Sequence, residues 1–138
     1  MSALTEFLYP LPAPRRTAVS VIGWWEARRL PFNLIVGAVG CFTVLAITLL
    51  TTLPGNFPGP PLAVIIGGSL VYGVLANLCY CLGPLVELTM YRLWGDQAPR
   101  AGPVLFRQGL VFSIGLTLFP IVLALLGTGL RVLSWIIG

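Results

Sequence analysis

The chain has 138 residues, enough for one domain, of which 57% are hydrophobic and 9% are charged. Because an average soluble domain has about 25% charged residues, the composition argues against a soluble fold and predicts a single membrane domain over residues 1–138. The net charge of +4 comes from eight arginines against four acidic residues, and there is no lysine. This positive charge is too dispersed for a nucleic-acid-binding surface. The absence of histidine excludes histidine ligation of haem, pigment or zinc.

Residues 1–19 are predicted to form an irregular, proline-rich arm. Pro10, Pro12 and Pro14 stand at alternate positions, and each proline restricts the residue before it to extended geometry. Tyr9 and the leucines of this segment favour contact with another surface, and a disordered tail is the alternative.

Residues 20–30 are predicted to form a short helix at the membrane interface. Its tryptophans supply rings that prefer the headgroup level, and its arginines can reach lipid phosphates. Pro31 then opens the first membrane-spanning helix, where its missing N–H removes no helix hydrogen bond. We expect four tryptophans to act as interface anchors: Trp24, Trp25, Trp94 and Trp135.

Three long apolar runs predict an all-α integral membrane protein in which three transmembrane helices follow the interfacial helix. About 20 helical residues cross a hydrocarbon core of ~30 Å, so the two later runs must tilt, kink or extend into the interface. We expect a kink at Gly83 and Pro84, and one span in the third run in preference to two halves hinged at Pro120. The predicted spans are residues 32–53, 61–94 and 104–126, and residues 127–138 form an interfacial tail or a helix extension.

The arginines predict the orientation of the chain. All but Arg131 precede the first span or flank the loop between the second and third spans, whereas the loop between the first and second spans has none. Arg131 lies on the opposite side. By the positive-inside rule, the N-terminus and the second loop are cytoplasmic and the C-terminus is outside, in a multi-pass protein of the cell (inner) membrane. The arginines on the cytoplasmic side are Arg15, Arg16, Arg28, Arg29, Arg92, Arg100 and Arg107.

Each span carries small or polar residues at steps of three and four, which indicates three helices packed around a common seam. Within this seam Asn33, Asn77 and Tyr80 are expected to form intramembrane hydrogen bonds, because an amide in hydrocarbon needs a partner. A ligand or ion site at Asn77 is the alternative. The three cysteines lie in apolar runs and are interpreted as small packing residues.

Glu87 is the acid that lies within an apolar run. Its distance along the second run places it at the cytoplasmic boundary, where it is predicted to form a structural ion pair with Arg28, Arg29 or Arg107. A proton-relay acid is the alternative.

The string Trp25-Glu26-Ala27-Arg28-Arg29-Leu30-Pro31-Phe32-Asn33, then Gly37, then Ala76-Asn77-Leu78-Cys79-Tyr80 with Gly83, Pro84 and Glu87, resembles a group of small bacterial multi-pass membrane proteins to which no activity is attached. The resemblance covers most of the chain beyond the proline-rich arm. It implies structural roles for the polar residues of the pattern, namely Glu26, Arg28, Arg29, Asn33, Asn77 and Glu87.

These patterns predict an accessory transmembrane subunit that stabilises a larger, energy-transducing complex (photosynthetic or respiratory) by helix packing. The alternative is a small homo-oligomeric transporter or channel with a polar seam at Ser69, Asn77, Tyr80 and Glu87. An enzyme is not predicted, because the chain has neither histidine nor lysine and no span holds an aspartate.

No cofactor is expected to be ligated by the chain, and a bound lipid or a peripherally contacted pigment or quinone stays open. The expected partners are membrane lipids and other transmembrane subunits, and nucleic acid is not among them.

Overall fold

A computed structural model describes residues 17–52 and 59–137, and these two ranges are helical without a β-strand. Helix α1 spans Ala18–Thr52, α2 spans Leu62–Trp94 and α3 spans Gly102–Ile137, with a 3₁₀ turn at Gly95–Gln97. All three helices are long and apolar enough to cross a membrane. The predicted all-α membrane fold with three spans is confirmed, while nearly all of the predicted proline-rich arm lies outside the described residues.

The helix starts are fixed by local hydrogen bonds. At α1 the Ser20 amide donates to Thr17 Oγ1 at 3.2 Å, and the Thr17 amide donates to Ser20 Oγ at 2.9 Å. This reciprocal pair satisfies N–H groups that have no partner inside the helix. At α2 the Pro61 carbonyl accepts from the amides of Val64 and Ile65 at 2.9 and 3.2 Å.

Each helix continues through an internal proline. As a result, two helix boundaries differ from the predicted ones. Helix α1 runs through Pro31, so the predicted interfacial segment 20–30 is helical but is the first part of α1. Helix α3 runs through Pro120 to Ile137, so the helix-extension alternative describes residues 127–137. Membrane helices tolerate proline where neighbouring helices, hydroxyl side chains or local adjustments of the helix satisfy the backbone groups that it frees. Helix α2 likewise contains Pro84.

The described residues fall into two compact units. Those within Met1–Leu34 and Leu75–Val111 form unit 1, and those within Ile35–Val74 and Phe112–Gly138 form unit 2. The interior of unit 1 is built mainly from large apolar side chains, and its most buried members are Val21, Trp25, Phe32, Ala76, Tyr80, Ala98, Phe106 and Leu110.

Unit 2 is held by hydroxyl groups that bond backbone carbonyls. Thr43 Oγ1 donates to the Thr117 carbonyl at 3.0 Å, and Tyr72 Oη donates to the Ser113 carbonyl at 3.0 Å. Thr128 Oγ1 donates to the Leu50 carbonyl at 3.2 Å. Because lipid chains are as apolar as leucine, such bonds and close packing are what join membrane helices.

The predicted small-residue faces are only partly buried. Ala76, Ser113 and Thr117 are buried, whereas Gly37 and Gly109 are exposed on the surface of the protein. The seam is therefore narrower than the spacing of small residues indicated, and some glycines face outward.

Candidate functional site

Five aromatic side chains of unit 1 form a single contact group, hereafter the aromatic cluster: Trp24, Trp25, Phe32, Tyr80 and Phe106. The ring centroids of Phe32 and Tyr80 lie 4.7 Å apart, and those of Trp25 and Tyr80 lie 5.4 Å apart. Phe106 meets Trp24 and Trp25 edge to face at 6.2 Å. These separations and tilts are those preferred by aromatic pairs, so the cluster joins segments of all three helices.

The indole of Trp25 connects the aromatic cluster to the buried acid. Trp25 Nε1 donates a hydrogen bond to Glu87 Oε2 at 2.8 Å, and the two residues are 2% and 4% exposed. A buried carboxylate is stable only when donors satisfy its oxygens. A Cβ atom built on Gly102 would lie 2.7 Å from Oε2, so the carboxylate rests against the first residue of α3. The positive end of a helix dipole favours a negative charge at this place.

Gly83 on α2 provides the space for the Trp25 ring. A Cβ atom at position 83 would lie 2.6 Å from Trp25 Cζ3 and 2.8 Å from Cζ2, which is closer than carbon atoms pack. Gly83 was predicted as part of a kink, and its close approach to an aromatic ring was not foreseen.

The two adjacent arginines of α1 have different surroundings. Arg28 is buried, its guanidinium carbon lies 3.9 Å from the centre of the Trp24 ring, and its Nη1 donates to the Trp24 carbonyl at 2.6 Å. Arg29 pairs with Glu26 at 2.8 Å and donates to Cys81 Sγ at 3.7 Å. A guanidinium over an indole face is attracted by the ring quadrupole.

The predicted ion pair between Glu87 and an arginine stays a prediction. Among the candidates, Arg28 contacts Trp24, Arg29 pairs with Glu26, and Arg107 is exposed on α3. The Trp25 indole as a donor to Glu87 was missed, because a tryptophan beside a membrane span is normally interpreted as an interface anchor.

The polar residues predicted to hydrogen-bond inside the membrane do so within unit 1. Asn33 Nδ2 donates to Asn77 Oδ1 at 3.2 Å, and Asn77 Nδ2 donates to Asn33 Oδ1 at 2.9 Å. Tyr80 Oη donates to the Trp25 carbonyl at 2.6 Å. Each bond joins α1 to α2. The structure therefore contains the predicted interhelical hydrogen bonds, to which a ligand site at Asn77 was the alternative.

The four tryptophans predicted as interface anchors divide into two groups. Trp25 lies in the interior of unit 1, so the anchor interpretation is wrong for this residue; its ring is used for packing and for the bond to Glu87. Trp24 is half-buried against Trp25 and Phe106. Trp94 and Trp135 are exposed, Trp135 to 85%, and their role as anchors stays a prediction.

The side chains of this site hold the helices of unit 1 together by packing and hydrogen bonds. Over residues 17–52 and 59–137, no three side chains of the metal-binding types gather into a group. Phe106 and Gly102 belong to the site, and the sequence analysis did not indicate either. For Gly102 the sequence offered one indication, a glycine at the start of the helix that follows the helix of Glu87. No protein-family model, curated protein or solved structure matches the chain.

Proposed function

We propose that this protein is an accessory transmembrane subunit that stabilises a larger membrane complex by helix packing and does not ligate the cofactor of that complex. The proposed host is an energy-transducing assembly in the inner membrane of a bacterial cell. The N-terminus would be cytoplasmic and the C-terminus outside, as the arginine distribution favours.

The end of α3 is the main support for a subunit role. Residues 129–137 are exposed on every side, and this segment carries large apolar side chains at Leu130, Leu133, Trp135, Ile136 and Ile137. A helix end of this composition has to be covered by lipid or by protein.

The length of α3 favours protein as the cover. Its 36 residues make a helix of about 54 Å at ~1.5 Å per residue. A typical tilt of about 20° shortens the projection only to about 51 Å. The bilayer is about 40–45 Å thick including its headgroups, so at this tilt α3 is longer than the bilayer. A neighbouring subunit would cover its exposed apolar end where lipid does not.

The internal hydrogen bonds of unit 1 favour a subunit over a transporter. In a permeation path, polar side chains face water or the moving ion. Here the side chains of Asn77, Tyr80 and Glu87 bond Asn33 and Trp25. Three of the four residues of the alternative seam are therefore engaged in joining helices.

Site-specific photo-crosslinking in native membranes tests the proposal. A photoreactive amino acid at Ile136, which is 69% exposed, is expected to yield an adduct with a second, different polypeptide. A matched probe at Phe112, which is 65% exposed and lies in the first third of α3, serves as the control for lipid contact.

Four results would count against the proposal. Adducts with lipid alone from both positions would remove the evidence for a partner, and adducts with a second copy of this chain would favour the homo-oligomeric alternative. A chain that purifies alone in mild detergent would contradict a subunit role. A co-purifying complex without a pigment, haem or flavin absorption band would contradict the energy-transducing assignment.

A further inference from the structure

Unit 2 contains a partly enclosed cavity of about 340 Å³. Its walls come from the unit 2 segments of α1, α2 and α3, with Pro60 at one edge, and nearly all of its surface is apolar. This volume lies at the lower end of the range of small-molecule sites, about 300–1,000 Å³. It is about twice the ~150 Å³ cavity that holds a benzene ring.

Most hydroxyl groups around the cavity are already used. Thr43 donates to the Thr117 carbonyl, Thr48 donates to the Val44 carbonyl, and Tyr72 bonds Ser113 and Thr117. Ser69 lines the same cavity, and its hydroxyl has no hydrogen bond to any described residue. One hydroxyl is therefore free to bond a ligand.

Pro120 adds a hydrogen-bond acceptor to the cavity wall. Proline has no N–H, so Pro120 cannot donate the usual helix bond to the carbonyl of Leu116, four residues earlier. Both residues line the cavity. The wall thus contains a free hydroxyl and a carbonyl without its normal donor.

The side chains around the cavity restrict the ligand. None of the described residues that line it carries a charge. A phosphate or carboxylate headgroup would therefore have no cation among these residues to pair with. A neutral ring that carries carbonyl or hydroxyl groups needs only neutral donors and acceptors.

We propose that this cavity is a binding site for a neutral, membrane-dissolved quinone or quinol, with the ring between Ser69 and Leu116 and its hydrocarbon tail along the apolar wall. A ring carbonyl accepts a hydrogen bond from the Ser69 hydroxyl. In the quinol form, a ring hydroxyl donates to the Leu116 carbonyl. The site does not depend on the proposed function, because the inference rests on the cavity and not on a partner complex.

Two neighbouring glycines of α2 supply a matched pair of variants. Gly68 lines the cavity and Gly67 does not, and a Cβ atom at either position meets nothing within 4 Å. Gly68→Leu is therefore expected to fill the cavity without a clash, and Gly67→Leu adds the same side chain outside it.

Equilibrium binding of a radiolabelled benzoquinone with a ten-carbon tail to the full chain in phospholipid nanodiscs provides the measurement. The native chain should bind one equivalent saturably, Gly68→Leu should weaken binding at least tenfold, and Gly67→Leu should bind as the native chain does. Ser69→Ala, which removes only a hydroxyl, should weaken binding by about three- to tenfold.

Several outcomes would overturn the proposal. These are the absence of saturable binding to the native chain, equal loss in both leucine variants, and unchanged binding in Ser69→Ala. Displacement of the probe by a long-chain alcohol at equal concentration would show that the ring is not recognised. Displacement on raising the phosphatidylglycerol content would assign the cavity to a phospholipid chain.

Discussion

Replacing Gly83 with alanine should destabilise the protein through its effect on Trp25. The added methyl group would overlap Cη2 of the indole ring and lie 2.6 and 2.8 Å from Cζ3 and Cζ2. The ring cannot turn away easily, because its Nε1 is held by Glu87 at 2.8 Å and the ring meets Tyr80 in a T-shaped contact. The overlap must therefore be relieved by a shift of α2 or by loss of the indole hydrogen bond.

The size of the effect follows from two opposing contributions. Inserting a methyl group into a packed interior destabilises by about 1–3 kcal/mol, whereas alanine is favoured over glycine within a helix by up to about 1 kcal/mol. Gly67→Ala, on the same helix with open space around its Cβ, contains only the second contribution. The free energy of unfolding of Gly83→Ala should therefore be lower than that of Gly67→Ala by about 1–3 kcal/mol.

Unfolding in mixed micelles with increasing dodecyl sulfate, followed by near-ultraviolet circular dichroism, measures this difference. The indole signal of Trp25 should weaken in Gly83→Ala and stay unchanged in Gly67→Ala. Equal stability of the two variants would refute the packing of Trp25 against Gly83, and with it the geometry of the aromatic cluster.

Two further predictions concern the polar contacts of unit 1. A double-mutant cycle with Asn33→Ala and Asn77→Ala should give a coupling energy of about 0.6 kcal/mol, with ~1.7 kcal/mol as the upper bound for such bonds in membranes; a coupling of zero would contradict the reciprocal amide pair. Glu87→Gln keeps an acceptor for Trp25 but removes the charge at the start of α3, so the same unfolding assay should show a loss of about 0.5–2 kcal/mol. A variant as stable as the native chain would contradict a dipole contribution.

The three membrane spans could be predicted because they follow from composition. A run of apolar residues without water has to bond its own backbone, so hydropathy and length fix the helices. The helix ends were less predictable, since Pro31 and Pro120 indicate a boundary in water but are accommodated in apolar surroundings. Both prolines lie inside continuous helices, which is why segments 20–30 and 127–137 belong to α1 and α3.

The pairing of Asn33 with Asn77 could also be predicted from the sequence. A side-chain amide in hydrocarbon needs a partner, and few side-chain amides lie in the spans. The indole of Trp25 as a donor to Glu87 could not be predicted, because a carboxylate suggests an arginine before a neutral indole. Choosing between them requires the rotation of α1 about its own axis, which the nearly uniform apolarity of that helix leaves undetermined.

The adjacent tryptophans of α1 explain how unit 1 accommodates buried charges of both signs. Consecutive helical residues point about 100° apart, so the two side chains leave the helix in different directions. Trp24 presents its face to the guanidinium of Arg28, one turn along the helix, and Trp25 presents its N–H edge to the carboxylate of Glu87. A ring face attracts a cation and an N–H edge attracts an anion. One dipeptide therefore stabilises an arginine and a glutamate through different parts of the same side-chain type, and it does so while both rings pack against Phe106.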